Sequence, residues 1–205
     1  MAERKARVAV LVSGGGTNLQ AILDAQQSGI IKSGQVVLVI SNKADAYALE
    51  RARRANVETA TVLRRDCGTQ ENFERMIAQK LEEKQIDLIV LAGFMAILSP
   101  WFTDRFAGRV INVHPSLIPS FCGAGFYGLR VHEAALQKGV KVTGATVHFV
   151  NEIPDGGEII LQKAVDVLPG DTPEILQTRV MEQAEWKILP QAVELLCAKR
   201  IKEEE

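Results

Sequence analysis

Short runs that are apolar at every position alternate along this chain with stretches whose apolar residues recur every three or four positions. The run 8–12 stops at Ser13-Gly14-Gly15-Gly16, and Leu19, Ile22 and Leu23 follow at helical spacing. A second run, 36–40, leads through Ser41-Asn42-Lys43 into a helix marked by Ala48, Leu49, Ala52 and Ala55. A shorter third run covers 59–63, and Phe73, Met76, Ile77 and Leu81 mark a helix before the run 88–92. Strands apolar on both faces must be covered on both, as in parallel sheets with helical crossovers. The order therefore predicts a single doubly wound α/β domain with a mostly parallel sheet.

After residue 110 the texture changes. A strand at 110–113 meets a Pro- and Gly-rich loop spanning 115–128, and a helix is expected near 131–138. Strands are expected at 145–150 and 158–167. Thr172 and Pro173 supply an N-cap and a first helical position for one long C-terminal helix. Residues 199–205 are expected to form a frayed tail.

Composition narrows the function classes. A formal net charge of −1 gives no global attraction to nucleic acid or anionic lipid. The one tight basic cluster, Arg51, Arg53 and Arg54, reads as a solvated helix face. Three scattered cysteines, Cys67, Cys122 and Cys197, suit a reducing cytoplasm and have no metal-ligand spacing. The longest apolar run, 88–98, falls short of a membrane span. The expectation is a cytoplasmic protein, monomer or homodimer, acting on small molecules, with no metal, nucleic acid or membrane partner.

Three constellations carry candidate chemistry. Ser13-Gly14-Gly15-Gly16-Thr17-Asn18 joins a strand to a helix start, where glycines let backbone N–H groups approach an anion. Thr17 and Asn18 add side-chain donors. Leu19 stands where a dinucleotide fingerprint needs its third glycine, and no acidic residue ends the second strand. A phosphomonoester fits better than a dinucleotide or a nucleoside triphosphate. In Asn112-Val113-His114-Pro115 the first and third residues share a strand face at its carboxyl end. Together they could donate two hydrogen bonds to one carbonyl oxygen as negative charge develops there, which acyl transfer requires. Asp155-Gly156-Gly157 alone is a turn signal, but its carboxylate could orient His114 or move a proton. His148 reads as an interior structural histidine and His132 as a surface residue. Glu182 and Glu185, three apart, would share a helix face.

Taken in order, several motifs closely resemble the phosphoribosylglycinamide formyltransferases of purine biosynthesis over about residues 8–190. They are Ser13-Gly-Gly-Gly-Thr-Asn-Leu-Gln20, Ser41-Asn-Lys43, Leu91-Ala-Gly-Phe-Met95, Ile111-Asn-Val-His-Pro-Ser-Leu-Ile-Pro119, Thr146-Val-His-Phe-Val150 and Asp155-Gly-Gly-Glu-Ile-Ile-Leu-Gln162. The resemblance implies a formyltransferase fold with a Rossmann-like N-terminal half and 10-formyltetrahydrofolate as formyl donor. It implies Asn112, His114 and Asp155 as catalytic residues. Gly16, Thr17, Asn18, Pro115 and Glu185 would meet the ribonucleotide. Met95, Ala96, Ile97, Leu98, Val150, Asn151 and Asp155 would meet the folate. Ala96 and Gln70 stand where relatives often carry Arg, so contacts to the folate tail would be weaker. The loop 122–128 looks longer than in some relatives, and the register near Glu182 is open by one residue. A transfer-RNA formyltransferase or a formyltetrahydrofolate hydrolase would need a further domain for which 205 residues leave no room. A non-catalytic phosphoribosyl-ligand sensor is the remaining alternative, and the presence of all three catalytic residues weighs against it.

Overall fold

β1 (Ala6–Val12) is flanked on one side by β2 (Gly34–Ser41) and β3 (Glu58–Thr61). On its other side come β4 (Leu88–Leu91), β5 (Val110–His114), β6 (Val142–Phe149) and β7 (Ile159–Asp166). The computed structural model describes residues 4–203. β3, β2, β1, β4 and β5 pair in parallel, whereas β5–β6 and β6–β7 are antiparallel. All seven strands anticipated from the apolar runs are present, with ends displaced by a few residues.

Alternation along β1 divides the core. Val8, Val10 and Val12 face one layer, with Leu19 and Ile22 of α1 (Thr17–Gln27) and Ala48 and Leu49 of α2 (Tyr47–Arg54). Ala9 and Leu11 face the other, with Phe73, Ile77 and Leu81 of α4 (Gln70–Glu83) and Phe102 of α5 (Pro100–Arg105). Each fully buried Leu, Ile or Phe contributes ~1.5–3 kcal/mol over its exposed state. Two short helices, α5 and α3 (Arg64–Cys67), carry no readable period, because four to six residues are too few to reveal one. In α5 the Ser99-Pro100 start was a readable signal.

The C-terminal helix is not one helix. After α6 (Leu129–Lys138), α7 (Pro173–Val180) passes into a π-helical turn, Met181–Glu185, and then α8 (Trp186–Glu203). Pro190 lies inside α8, has no N–H for the carbonyl of Trp186, and crowds that carbonyl with its ring. The wide turn sits directly before that point. The expected frayed tail at 199–205 is helical through Glu203, and residues 204–205 lie outside the described part.

Glu74 ties the two halves of the carboxyl edge. Its side chain, on α4, is 0% exposed and faces no cation among its hydrogen-bond partners. It accepts from the Ser99 N–H at 2.7 Å, from the Ser99 hydroxyl, and from Gln70 Nε2 at 2.5 Å. Gln70 also donates to the Ile97 carbonyl at 3.0 Å, so this carboxylate organises the segment 94–99 from below. Glu74→Ala strands the Ser99 donors in the interior. Urea unfolding is expected to register a loss of about 2–4 kcal/mol.

Candidate active site

Because β5 and β6 are antiparallel with Asn112 opposite His148 and His114 opposite Thr146, these four side chains share one face of the sheet. Asn112 Nδ2 lies 3.3 Å from His148 Nε2. The other ring nitrogen of His148 donates to the Phe149 carbonyl at 2.7 Å. In the neutral ring Nε2 therefore carries the lone pair, accepts one Asn112 N–H, and leaves the second amide N–H for another acceptor. His148 is thus buried, as expected, yet it belongs to the site rather than to the structural interior alone. Nothing in its own alternation indicated this, because the cross-strand register is a tertiary fact.

Asp155 reaches this face from the β6–β7 connection, which folds back over the sheet. Phe149 N–H donates to Glu158 O at 2.8 Å and closes the base of the loop. A Cβ on Gly157 would sit 1.8 Å from the Phe149 carbonyl oxygen, so only glycine allows this closure. Asp155 itself adopts φ 56°, an uncommon backbone for a residue with a side chain. Its Oδ2 lies 3.4 Å from His114 Nδ1 and accepts from Gly123 N–H at 2.9 Å. Its Oδ1 is 3.6 Å from His148 Nε2. Burial alone would raise the Asp155 pKa. With the His148 and His114 rings protonated, their contacts and the Gly123 N–H together outweigh it and hold the carboxyl below its ordinary value.

His114 is 4% exposed, and its Nε2 donates to the Phe121 carbonyl at 2.8 Å. Burial pulls its pKa below the ordinary histidine value, against the opposing pull of Asp155. A neutral ring with its proton on Nε2 turns the bare Nδ1 towards a carboxylate. The ring therefore meets Asp155 favourably only on gaining a second proton. Cys122, in the same covering loop, has its thiol pushed up by burial and by Asp155.

His132 departs from expectation. Expected on the surface, it is 0% exposed on the inner face of α6, and neither ring nitrogen has a hydrogen-bond partner. Burial, then repulsion from His114, pushes its pKa down to about 4. Helix α6 turns this face inward, with Ala135 in the core layer and α7 packed against the helix, and a helix start on its own does not say which face is inner.

The Gly-rich loop follows β1, two strands from β5. Gly16 caps α1 with φ 73°, and a Cβ there would lie 2.6 Å from that of Ala48. Thr17 is exposed at the helix start. Asn18, anticipated as an anion donor, donates one amide N–H to Glu185 Oε2 at 2.7 Å. Glu185 is 6% exposed, and burial raises its pKa while Asn18 opposes the shift. The wide turn Met181–Glu185 separates Glu185 from Glu182, which is exposed beside Glu174 and Arg179. The two carboxylates do not share a face, because the shared-face rule assumes an α-helical period.

The segment expected to meet the folate comes after β4. Ser13 Oγ accepts from Met95 N–H at 2.8 Å, which joins this segment to the Gly-rich loop. Leu91, Phe94, Leu98 and Val150 wall a cavity of about 130 Å³ that Asn112, His148 and Asp155 also line. Ile97 is 75% exposed at its mouth, with Ala96 and Asn151 half-buried, while Met95 is 53% exposed and does not line it. The volume is below the ~300–1,000 Å³ of a typical ligand pocket, so it suits one flat ring with the remainder outside. Pro115 is half-buried directly after His114. A larger cleft of about 490 Å³ runs between α1 and α8 and touches the site only through Thr17 and Arg51 at its rim. Among the described residues no helix is long and apolar enough to cross a membrane, and no group of three or more His, Cys, Asp or Glu could hold a metal ion.

The sequence model of the family described as Formyl transferase matches residues 6–193. Phosphoribosylglycinamide formyltransferase of Haemophilus influenzae is 44% identical, over 96% of this chain and 89% of that protein. The human trifunctional purine biosynthetic protein adenosine-3 is 46% identical over 96% of this chain, which spans only 19% of that longer protein. The solved structure of glycinamide ribonucleotide transformylase 1 from Symbiobacterium toebii superposes with TM-score 0.89 at 44% identity, over 96% of this chain and 89% of that one.

The buried Glu185 carboxylate gives a test with a definite sign. Its raised pKa means its ionisation opposes folding, so the wild type loses stability as pH rises through that pKa. Glu185→Gln keeps an acceptor for Asn18 without the charge. Urea midpoints are expected to favour the variant by a margin that widens from pH 5 to pH 8. A margin independent of pH would mean that Glu185 is not ionising in a desolvated place.

Proposed function

Because the chain belongs to the formyl transferase family, we propose that this site moves a formyl group from 10-formyltetrahydrofolate to the amine of phosphoribosylglycinamide. The chain is a one-carbon transferase of purine biosynthesis. Its formyl donor and the residues that act are what we propose. The observation that carries it is the meeting of Asn112, His114, His148 and Asp155 beside a ring-sized apolar cavity, with the Gly-rich loop tied to that cavity's rim through Ser13 and Met95.

In this reading the N-terminal half holds the ribonucleotide phosphate. Gly16 and Thr17 donate to it from the start of α1, where the helix dipole favours an anion. Asn18 keeps Glu185 oriented for the ribose or amine, and Pro115 borders the sugar. The C-terminal half holds the pterin between residues 95–98 and 150–155. Its apolar walls take the flat ring, and backbone groups of Val150, Asn151 and Asp155 meet its polar edge. Ala96 and Gln70 supply no cation to the folate tail.

Reaction begins when the substrate amine attacks the formyl carbon. The free Asn112 N–H meets the oxygen on which negative charge develops, and His148 fixes the amide in that orientation. Withdrawal of the Phe121 carbonyl releases His114 Nε2–H to the same oxygen. Asp155 stabilises the second proton on His114 Nδ1, so the pair gains a proton as the attacking nitrogen loses one. The proton then passes to N10 of the departing folate. No step requires a covalent link to the protein.

The absorbance of the deformylated folate follows turnover directly. Asn112→Ala and His114→Ala are each expected to lower kcat by roughly 10²–10³, the scale of a lost oxyanion donor. Wild-type rates in both would remove the catalytic assignment. Equal folate deformylation with and without the ribonucleotide would indicate a hydrolase instead. Binding of the ribonucleotide without any turnover would indicate a sensor.

A further inference from the structure

The two carbonyl groups that precede the start of α1 are both held by α2. Gly14 O accepts from Ala48 N–H at 3.0 Å. Gly15 O accepts from Arg51 Nε at 2.8 Å. In a trans peptide the carbonyl and the following N–H point in opposite directions. Pinning the Gly14 and Gly15 carbonyls on α2 therefore turns the N–H groups of Gly15 and Gly16 to the other side of the loop. Two successive donors on one side of such a turn form an anion-binding concavity.

Arg51, expected on a solvated basic face, is the side chain of that cluster that reaches the loop. Its Nη1 donates to Gln20 Oε1 at 3.0 Å, and its guanidinium lies 5.0 Å from the Tyr47 ring centroid. It is thus fixed on three sides, by the loop, by α1 and by an aromatic face. Arg53 and Arg54 instead pair with Glu50 on their own helix. Gly16 rests directly on Ala48, so the loop cannot relax towards α2 if the arginine is lost. It can only rotate the Gly15 peptide, which has no other partner on the Arg51 side.

We propose that Arg51 is a positioning residue for the substrate phosphate: it locks the Gly15–Gly16 peptide with its N–H towards the anion and adds a fixed positive charge at the rim. This rests on the reading of the Gly-rich loop as the phosphate site. Arg51 does not touch the reacting atoms, so its contribution belongs to ribonucleotide binding and not to the chemical step. A lysine cannot replace it fully, because a point charge on a flexible stem lacks the planar fork that binds Gly15 O and Gln20 together.

Steady-state kinetics with both substrates varied tests this, alongside inhibition by inorganic phosphate. Arg51→Met is expected to raise KM for the ribonucleotide roughly 10- to 100-fold, the worth of a hydrogen bond to a charged group. It should weaken phosphate inhibition in parallel, with kcat and the folate KM within about twofold of wild type. Arg51→Lys is expected to fall between the two and guards against a variant that does not fold. Gly16→Ala, strained by its positive φ, serves as the control for the loop itself. A raised ribonucleotide KM in Gly16→Ala with unchanged KM in both Arg51 variants would overturn the role of Arg51 alone. An unchanged KM in all three would overturn the phosphate reading beneath it. A fall in kcat at constant KM in the Arg51 variants would also contradict the proposal.

Discussion

Everything at this site depends on the antiparallel register between β5 and β6. It sets Asn112 across from His148 and His114 across from Thr146. A slip of one residue would send the β6 side chains to the opposite face, leaving Asn112 and His114 without those partners. The register is held at several points beyond the ladder. Thr146 Oγ1 donates to Ser116 O at 2.7 Å and accepts from Ile118 N–H at 3.1 Å, so the strand is bonded to the chain that leaves β5. Val150 N–H donates to Val110 O at the other end. The reversal of direction at β6 also creates the β6–β7 connection, the loop that carries Asp155 back over that face.

The parallel part of the sheet contributes a different constraint. Successive crossovers bring the ends of β1, β2 and β4 to one edge, and side chains then link the loops there. Ser13 holds Met95, Arg51 holds Gly15, and Glu74 holds Ser99. The Ser13 and Glu74 links are partly buried, and each group in them would be costly to leave unpaired, whereas the Arg51 link lies at the exposed rim. The Gly-rich loop and the segment after β4 are consequently joined into one edge, and in the proposed reaction the attacking amine and the formyl carbon would arrive there already aligned.

Much of this was legible before the fold was known. The apolar runs located all seven strands, and the alternation of Asn112 and His114 put both on one face. The motifs identified the family. What escaped had physical reasons. His148 joins the site through a cross-strand pairing that no local period encodes. His132 is buried because of where α6 packs, and Arg51 serves the glycine loop because α2 lies against it. Glu182 and Glu185 parted because a π turn replaced the α-helical spacing on which their pairing was judged. The common cause is that periodicity reports which side of an element is apolar, whereas these residues are defined by what lies opposite.

The central claim is that the formyl group passes directly from donor to amine at the Asn112–His114–Asp155 cluster. The most direct measurement follows the carbon itself, using 10-formyltetrahydrofolate labelled with ¹³C in the formyl group and unlabelled phosphoribosylglycinamide. One labelled formyl group in the ribonucleotide product for each donor consumed, with no labelled formate released, is the predicted result. Label appearing as free formate, or donor consumed without any in the ribonucleotide, would contradict it.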